Sequence, residues 1–478
     1  MSKVPILFVS HLRKYFDINK GLGKRGEVKA IDDVTFTLMR GETIGIVGET
    51  GCGKTTLGRA LLRLIQATDG DVYFGLDSEL MNEIIDTDKK YHLAMSTYLE
   101  SKDNSDEIDK LKKKLEFYRN KYSITRMKRS ELKEFRKKAQ PVFQDPFSSL
   151  DPRKLIKDII AEPMRALTNL SREEIMEKER SLIAEIGLSE DHLYRFPHEF
   201  SGGQRQRIGI IRAIGIDPDL LVLDEPTSAL DVSVQAQILN LLKDIQEKRQ
   251  MSYVFISHHL HVIRMMADKV AVMYLGKIVE LADTEVLFSS MLHPYTQALV
   301  SAIPRPDPDT KREKIEISGD IPNPSDPPTG CYFHTRCPFV MVNCGWSPKD
   351  MGKPIANLFN EYENTEGTIL PKLSEIILEQ EEMEIKLKFN EALEDDQFQL
   401  ITDLFWKVSE QKNDIRFKAI DKIERNSNEV LIKMKPYDTP TLKEIRKGHF
   451  VSCLIYKEDS IKEETHYEQT ENNFENSA

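Results

Sequence analysis

A chain of 478 residues is too long for one ordinary domain, so two or three compact units are expected. Hydrophobic residues make up 40% and charged residues 30%, enough apolar surface for large cores, and the formal net charge of −11 argues against a bulk nucleic-acid binder, whose face would be basic. No stretch of about 18 apolar residues occurs, which leaves no candidate membrane-spanning helix, so a cytosolic protein that reaches a membrane only through partners is expected.

The first residues, MSKVPILFVSHLRKYF, have neither a long apolar core nor a small-residue cleavage site, so no signal peptide is expected. Val34–Leu38 alternates as a strand, and Thr43–Val47 (TIGIV) reads as a buried strand leading into a glycine-rich turn at Gly48–Thr55. The run TTLGRALLRLI then signals a helix from Thr55 to about Ile65. Residues 76–138 are rich in Lys, Glu and Asp and read as a charged helical insertion. Within it Ile108, Leu111, Leu115, Tyr118 and Tyr122 recur at the seam spacing of a short coiled helix. From Pro141 onward, continuously apolar strands (LLVLD, YVFIS, KVAVMY) alternate with amphipathic helices, the pattern of a mostly parallel sheet covered on both faces. Proline-rich runs at Ile303–Pro308 and Ile321–Pro328 mark a linker. Residues 346–446 read as an inserted α+β unit: Met383, Ile385, Leu387 and Phe389 alternate, Phe398, Ile401, Phe405 and Val408 step helically, and Val430, Ile432 and Met434 alternate again. The acidic tail, 457–478, is expected to be disordered.

Gly48-Glu49-Thr50-Gly51-Cys52-Gly53-Lys54-Thr55 fits the P-loop pattern in its required context, after a strand and before a helix. Glycines let backbone N–H groups converge on phosphate, and the helix start adds its positive dipole end. Lys54 is expected at the β/γ-phosphates and Thr55 on Mg²⁺; Thr56 follows on the same helix, and Cys52 reads as a small spacer. Leu220–Glu225 ends a hydrophobic strand in two carboxylates. Asp224 suits Mg²⁺, and Glu225 suits activation of the attacking water. Ser201-Gly202-Gly203-Gln204 opens another helix about twenty residues earlier; alone it could be no more than a capped helix start. Five cysteines in a cytosolic chain are poor disulfide candidates, and Cys331, Cys337 and Cys344 lie close enough to ask for a metal explanation.

Taken in order, these elements resemble an ABC-type nucleotide-binding domain with a helical subdomain, an α/β P-loop NTPase fold. The resemblance implies that Ser201–Gln204 is the signature that closes on a nucleotide held by a second subunit. It further implies that Gln144, in VFQDP, is the Q-loop glutamine touching Mg²⁺, that Asp231, in SALD, belongs to the D-loop, and that His258 is the switch histidine. The family usually follows that histidine with Asp, whereas here His259 follows. Tyr15, with Phe16 as its rival, would stack on adenine; either could instead be core.

The phrases GETIGIVGETGCGKTTLGR, VFQDPFSSLDPR, DEPTSALDVSVQAQILNLL and HPYTQAL are similar to the oligopeptide/dipeptide importer ATPases, and the first two more to their F-type than D-type subunit. GCYFHTRCP at 330–338 continues that likeness, and GHFVSC at 448–453 resembles the segment that closes the terminal element. There the family carries four cysteines, in several members around an iron–sulfur cluster. Cys331, Cys337, Cys344 and Cys453 are the matching candidates for a [4Fe–4S] cluster or Zn²⁺, against unligated thiols in a structural tail. About a hundred residues separate Cys344 from Cys453, and Leu rather than His follows the latter. The domains expected are thus 1–302, the nucleotide-binding domain; 303–345 with 447–456, the cysteine element; 346–446, the insertion; and the tail. The implied partners are a second, D-type ATPase, two permease subunits and an extracytoplasmic binding protein, with the chain peripheral on the inner face of the cell membrane. A related importer of nickel or another solute is the alternative. A DNA-repair ABC ATPase would separate its P-loop and signature by several hundred residues, not about 150, and a translation factor would carry two cassettes.

Overall fold

The computed structural model describes residues 4–19, 25–101, 105–145, 147–302, 315–363, 371–411 and 414–456. The proline run at 303–308 and the tail at 457–478 lie outside the described residues. Of those described, residues up to Leu292 with 446–450 form one compact unit. Residues 293–302, 315–445 and 451–456 form a second.

The first unit begins with two long antiparallel strands, β1 (Pro5–Asn19) and β2 (Arg25–Met39). β3 (Thr43–Val47) and α1 (Lys54–Leu61) follow, and β4 (Asp69–Phe74) then pairs with the other side of β1. α1 stops four residues short of the expected Ile65. Arg63 turns left-handed at φ 53, and the N–H groups of Leu64 and Ile65 both fold back onto the Arg59 carbonyl. Next come α2 (Ser78–Ser101), α3 (Ser105–Tyr122), α4 (Arg129–Lys138) and β5 (Ala139–Val142). A helical stretch contains α5 (Ile156–Leu167), α6 (Arg172–Glu185) and α7 (Gly202–Ile214). The unit continues through β6 (Leu220–Asp224), α8 (Val232–Arg249), β7 (Ser252–Ser257), α9 (Leu260–Met266), β8 (Lys269–Tyr274), β9 (Lys277–Asp283) and α10 (Thr284–Ser289).

Six of these strands lie side by side in the order β9-β8-β3-β7-β6-β5. β3, β5, β6, β7 and β8 pair in parallel, and β9 pairs antiparallel with β8. Every residue of β3, β6 and β7 is buried, as expected for parallel strands covered on both faces. Register decides what this sheet can present. Val47 pairs with Ser257, Asp224 with Ile256, and Val142 with Leu223. Four strands therefore end at one level, and the turns that follow them share one edge.

The helices α2 and α3 are more than a solvated arm. Met81, Ile84, Ile85 and Tyr118 form a buried cluster with Phe8 of β1 and Tyr73 of β4, flanked by Leu115 and Tyr122 of the expected seam. Arg119 Nε donates to buried Asp71 at 2.6 Å, pinning α3 to β4.

The second unit holds α11 (Pro294–Ser301), the cysteine-bearing loops, α12 (Pro348–Glu363), β10 (Leu373–Glu379), β11 (Glu384–Phe389), α13 (Asp395–Gln411), β12 (Ile420–Asn426) and β13 (Glu429–Met434). Its antiparallel sheet runs β10-β11-β13-β12. Alternate residues Ile385, Leu387 and Phe389 of β11, with Val430, Ile432 and Met434 of β13, face one core. Ile401, Leu404, Phe405 and Val408 of α13 and Met351, Ile355 and Phe359 of α12 close over it. Met383, the first of the expected alternating residues, instead sits left-handed (φ 55) in the turn before β11.

Candidate functional site

The edge where β3, β5, β6 and β7 end collects most of the residues singled out in the sequence. After β3 comes the glycine loop, and α1 starts from Gly53, which is left-handed at φ 104 and offers no side-chain cap. The first N–H groups of α1 are thus left without a side-chain acceptor and face the loop, a ready position for an anion. Gly53 is required on two grounds: its φ disfavours other residues, and a Cβ there would lie 1.9 Å from the Ala30 carbonyl oxygen. At Gly48 a Cβ would meet the Met273 carbonyl oxygen at 2.0 Å, while at Gly51 nothing stands within 4 Å.

Lys54 is only 5% exposed, and its Nζ donates to the carbonyls of Gly48 at 2.7 Å and Glu49 at 3.0 Å. A third, weaker contact runs to Cys52 Sγ at 3.8 Å, so the buried ammonium can exchange its loop contacts for a phosphate in the same loop. Burial pushes the Cys52 thiol up, opposed by the neighbouring ammonium of Lys54. Thr56 is half-buried on α1.

Across the edge, Thr55 Oγ1 donates to Asp224 Oδ1 at 3.0 Å. Burial raises the Asp224 carboxyl above its usual range, the nearby Glu225 charge adds to the rise, and the Thr55 hydrogen bond opposes it. A buried carboxylate disfavoured in its charged form, beside a hydroxyl, suits a hard divalent cation. Thr55 and Asp224, with the carboxamide of Gln144 nearby, offer the all-oxygen donors that Mg²⁺ takes.

Glu225 follows Asp224 in a left-handed conformation (φ 46), with its N–H bonded to the Ile256 carbonyl. That strained turn swings its carboxylate away from the strand. Gln144 Nε2 donates to Glu225 Oε2 at 2.9 Å, and His258 Nδ1 lies 3.0 Å from Glu225 Oε1. Each carboxylate oxygen is held from a different strand end. His259, the unexpected neighbour, has its ring 3.9 Å from that of His258, and burial followed by the charges of His258 and His261 lowers its pKa.

The remaining cassette residues sit farther along the same unit. Ser201 caps α7 in a reciprocal box: its Oγ accepts from the Gln204 N–H at 3.3 Å, and its own N–H donates to Gln204 Oε1 at 3.0 Å. Gly203 packs so closely on α8 that a Cβ would come within 2.3 Å of Val234 Cγ1. Asp231 caps α8 by accepting from the Val234 N–H, and Ser228 Oγ donates to the Glu225 carbonyl. Tyr15 on β1 is half-buried and its hydroxyl donates to Asp32 at 2.5 Å, whereas Phe16 is 39% exposed. Two links were not read from the sequence. Asp32 fixes Tyr15, and Phe147, three residues after Gln144, lies under the Arg205 guanidinium at 4.2 Å, which ties the glutamine's loop to α7. Both depend on partners remote in sequence, and no local pattern announces them.

In the second unit Cys331, Cys337, Cys344 and Cys453 line one pocket with Phe333, His334, Phe339 and Leu454. A folded insertion thus does bring the distant Cys453 beside the other three. Burial pushes the thiols of Cys331 and Cys344 up, and that of Cys337 to about 12. A Zn²⁺ bound by thiolates at 2.3 Å sets its sulfurs about 3.8 Å apart. Among the described residues no three of these sulfurs lie within 4.8 Å of one another, wider than that zinc spacing.

Comparison with known proteins gives two family matches. The ABC transporter family matches residues 31–228, and the oligopeptide/dipeptide transporter C-terminal region matches 279–344. The oligopeptide transport ATP-binding protein AppF of Bacillus subtilis is 44% identical over 344 residues, 71% of this chain and 91% of that protein. The dipeptide transport ATP-binding protein DppF of Escherichia coli is 42% identical over 334 residues, 70% of this chain and 86% of that protein. Among solved structures, a dimeric ATP-binding cassette bound to ADP and Pi aligns at a TM-score of 0.44 and 22% identity. It covers 58% of this chain and 99% of its own.

Proposed function

Because the chain belongs to the ATP-binding subunits of the oligopeptide and dipeptide ABC transporters, we propose that it hydrolyses ATP at the edge built on β3, β5, β6 and β7 to drive peptide import. The observation that carries this reading is the Glu225 carboxylate, held by Gln144 and His258 at the mouth of the glycine loop. Lys54 and the N–H groups of the loop and of α1 bind the β- and γ-phosphates. Thr55, Asp224 and Gln144 would hold Mg²⁺, which when bound neutralises phosphate charge. Glu225 takes a proton from water as its oxygen attacks the γ-phosphorus, and the bond to the bridging oxygen breaks to leave ADP. His258 and Gln144 keep that carboxylate aimed, and Tyr15 stacks on the adenine.

Ser201–Gln204 and the Asp231 loop then serve the nucleotide of a second subunit, so each working site is shared. The family has membrane permeases as partners; a D-type ATPase, two permeases and an extracytoplasmic binding protein complete the assembly, with this chain on the inner face of the membrane. Among the described residues no helix is long and apolar enough to cross a membrane. The stack of Arg205 on Phe147 supports a relay, since movement at Gln144 reaches α7 through that contact. The four cysteines would hold a [4Fe–4S] cluster, which supplies a rigid cross-link between Cys453 and the loops at 331–344.

Replacing Ser201 with Arg tests the shared site. Nucleotide binding to this chain is expected to persist while ATP turnover of the assembled complex and peptide uptake fall at least tenfold. Unchanged turnover would refute the assignment.

A further inference from the structure

A second cluster of ligand-type side chains lies on β1 and α2, away from the glycine loop. His11, Asp88 and His92 bring one ligand atom each within 4.8 Å of one another. His11 Nε2 is 4.0 Å from Asp88 Oδ2, His92 Nε2 is 3.8 Å from Asp88 Oδ1, and the two imidazole rings lie 3.6 Å apart. Asp88 and His92 are one turn apart on α2 and so share a face.

The backbone places His11 there at a cost. His11 is left-handed (φ 48) and drops out of register with both neighbouring strands, between Val9 and Leu12 against β2 and between Ser10 and Arg13 against β4. On β2, Asp33 is also left-handed (φ 70) and unpaired in the ladder. Two facing bulges therefore aim His11 and Asp33 at each other, and His11 Nδ1 meets Asp33 Oδ1 at 2.6 Å. That contact occupies Nδ1 and turns Nε2 toward Asp88, the arrangement in which a carboxylate orients a metal-binding histidine. Asp88 is 7% exposed and is itself oriented by Ser10 Oγ, which donates to Oδ1 at 2.7 Å.

We propose that His11, Asp88 and His92 form a binding site for a divalent transition-metal ion of the zinc class, clamping α2 onto β1. Two imidazoles and one carboxylate favour borderline ions such as Zn²⁺ and Co²⁺ over Mg²⁺ or Ca²⁺, which take oxygen ligands. A tetrahedral ion with bonds near 2.1 Å sets its ligand atoms about 3.4 Å apart, so three ligand atoms now within 4.8 Å of one another need to close by at most about 1.4 Å. Three protein ligands leave a position for water. The ion bridges the helical insertion and the strand that carries Tyr15 four residues on.

The test is a titration of the full chain with Co²⁺ alone, followed by visible absorption, then by displacement with Zn²⁺. Cobalt in the cysteine pocket would show thiolate charge transfer; cobalt at His11, Asp88 and His92 shows d–d bands without it. One such Co²⁺ per chain is expected, with affinity at least 10²-fold weaker in His92→Ala and in His11→Asn. His92 is exposed, and Asn tolerates the left-handed backbone at 11, so both variants are expected to fold. Cobalt bound with only the thiolate signature, or undiminished binding in either folded variant, overturns the proposal.

Discussion

Replacing Glu225 with Gln isolates its chemistry from its architecture. The carboxylate makes two contacts, one from each oxygen: Gln144 Nε2 at 2.9 Å and His258 Nδ1 at 3.0 Å. Glutamine has the same shape, so its carbonyl can still accept from Gln144, while its amide can donate to His258 in the tautomer with a bare Nδ1. No cavity opens and no buried group loses its partner. Nucleotide affinity should therefore change by no more than about threefold. The proton acceptor, however, is gone. General-base catalysis contributes about 10²–10⁴-fold, so the barrier to hydrolysis should rise by roughly 3–5 kcal/mol. The assay is phosphate release at saturating Mg²⁺-ATP from the assembled complex, beside ATP binding to the same preparation. Turnover within threefold of the parent, with binding intact, would show that another group takes the proton. Loss of binding together with turnover would show instead that Glu225 is structural.

Three further outcomes follow from the same geometry. Gly53→Ala combines a left-handed backbone with a Cβ against the Ala30 carbonyl; it should destabilise the first unit by about 2–5 kcal/mol and remove ATP binding, read by thermal melting and nucleotide titration. Asp224→Asn should raise the melting temperature of nucleotide-free protein while reducing its stabilisation by Mg²⁺-ATP. The folded-state pKa of Asp224 is raised chiefly by burial, so its contribution to stability is present at acid pH and is lost as pH rises through that pKa; at neutral pH the charge opposes folding. The gain in melting temperature should accordingly vanish as the pH falls below the unfolded carboxylate range. Anaerobically purified protein should be brown with about four irons per chain, and Cys453→Ser should lower the iron content; iron-free, colourless parent protein would exclude the cluster.

The nucleotide loop, the paired carboxylates and the signature were legible because each is a contiguous segment that follows a buried strand or opens a helix. Their convergence was legible too, since parallel strands such as TIGIV, LLVLD and YVFIS must end on one edge. The grip of Gln144 and His258 on Glu225 was not, because it depends on where three turns lie in space. In the second unit β11 and β13 were visible, as one face of each is buried. The more exposed β10 and β12 carry little alternation and passed unseen. The insertion's charge hid its packing: Met81, Ile84 and Ile85 are few among many Lys and Glu, yet they bury against Phe8 and Tyr73. His11 and Asp33 were unreadable for another reason. A bulge is set by the register of strands far apart in sequence, and neither residue type signals it.

The most direct test is recovery of the chain with its native partners. Affinity purification from gently solubilised membranes should bring down two membrane-spanning permeases and a second ATP-binding subunit. The ATPase activity of that complex should rise when peptide-loaded binding protein is added. Recovery with DNA or ribosomes and without membrane partners would contradict the account.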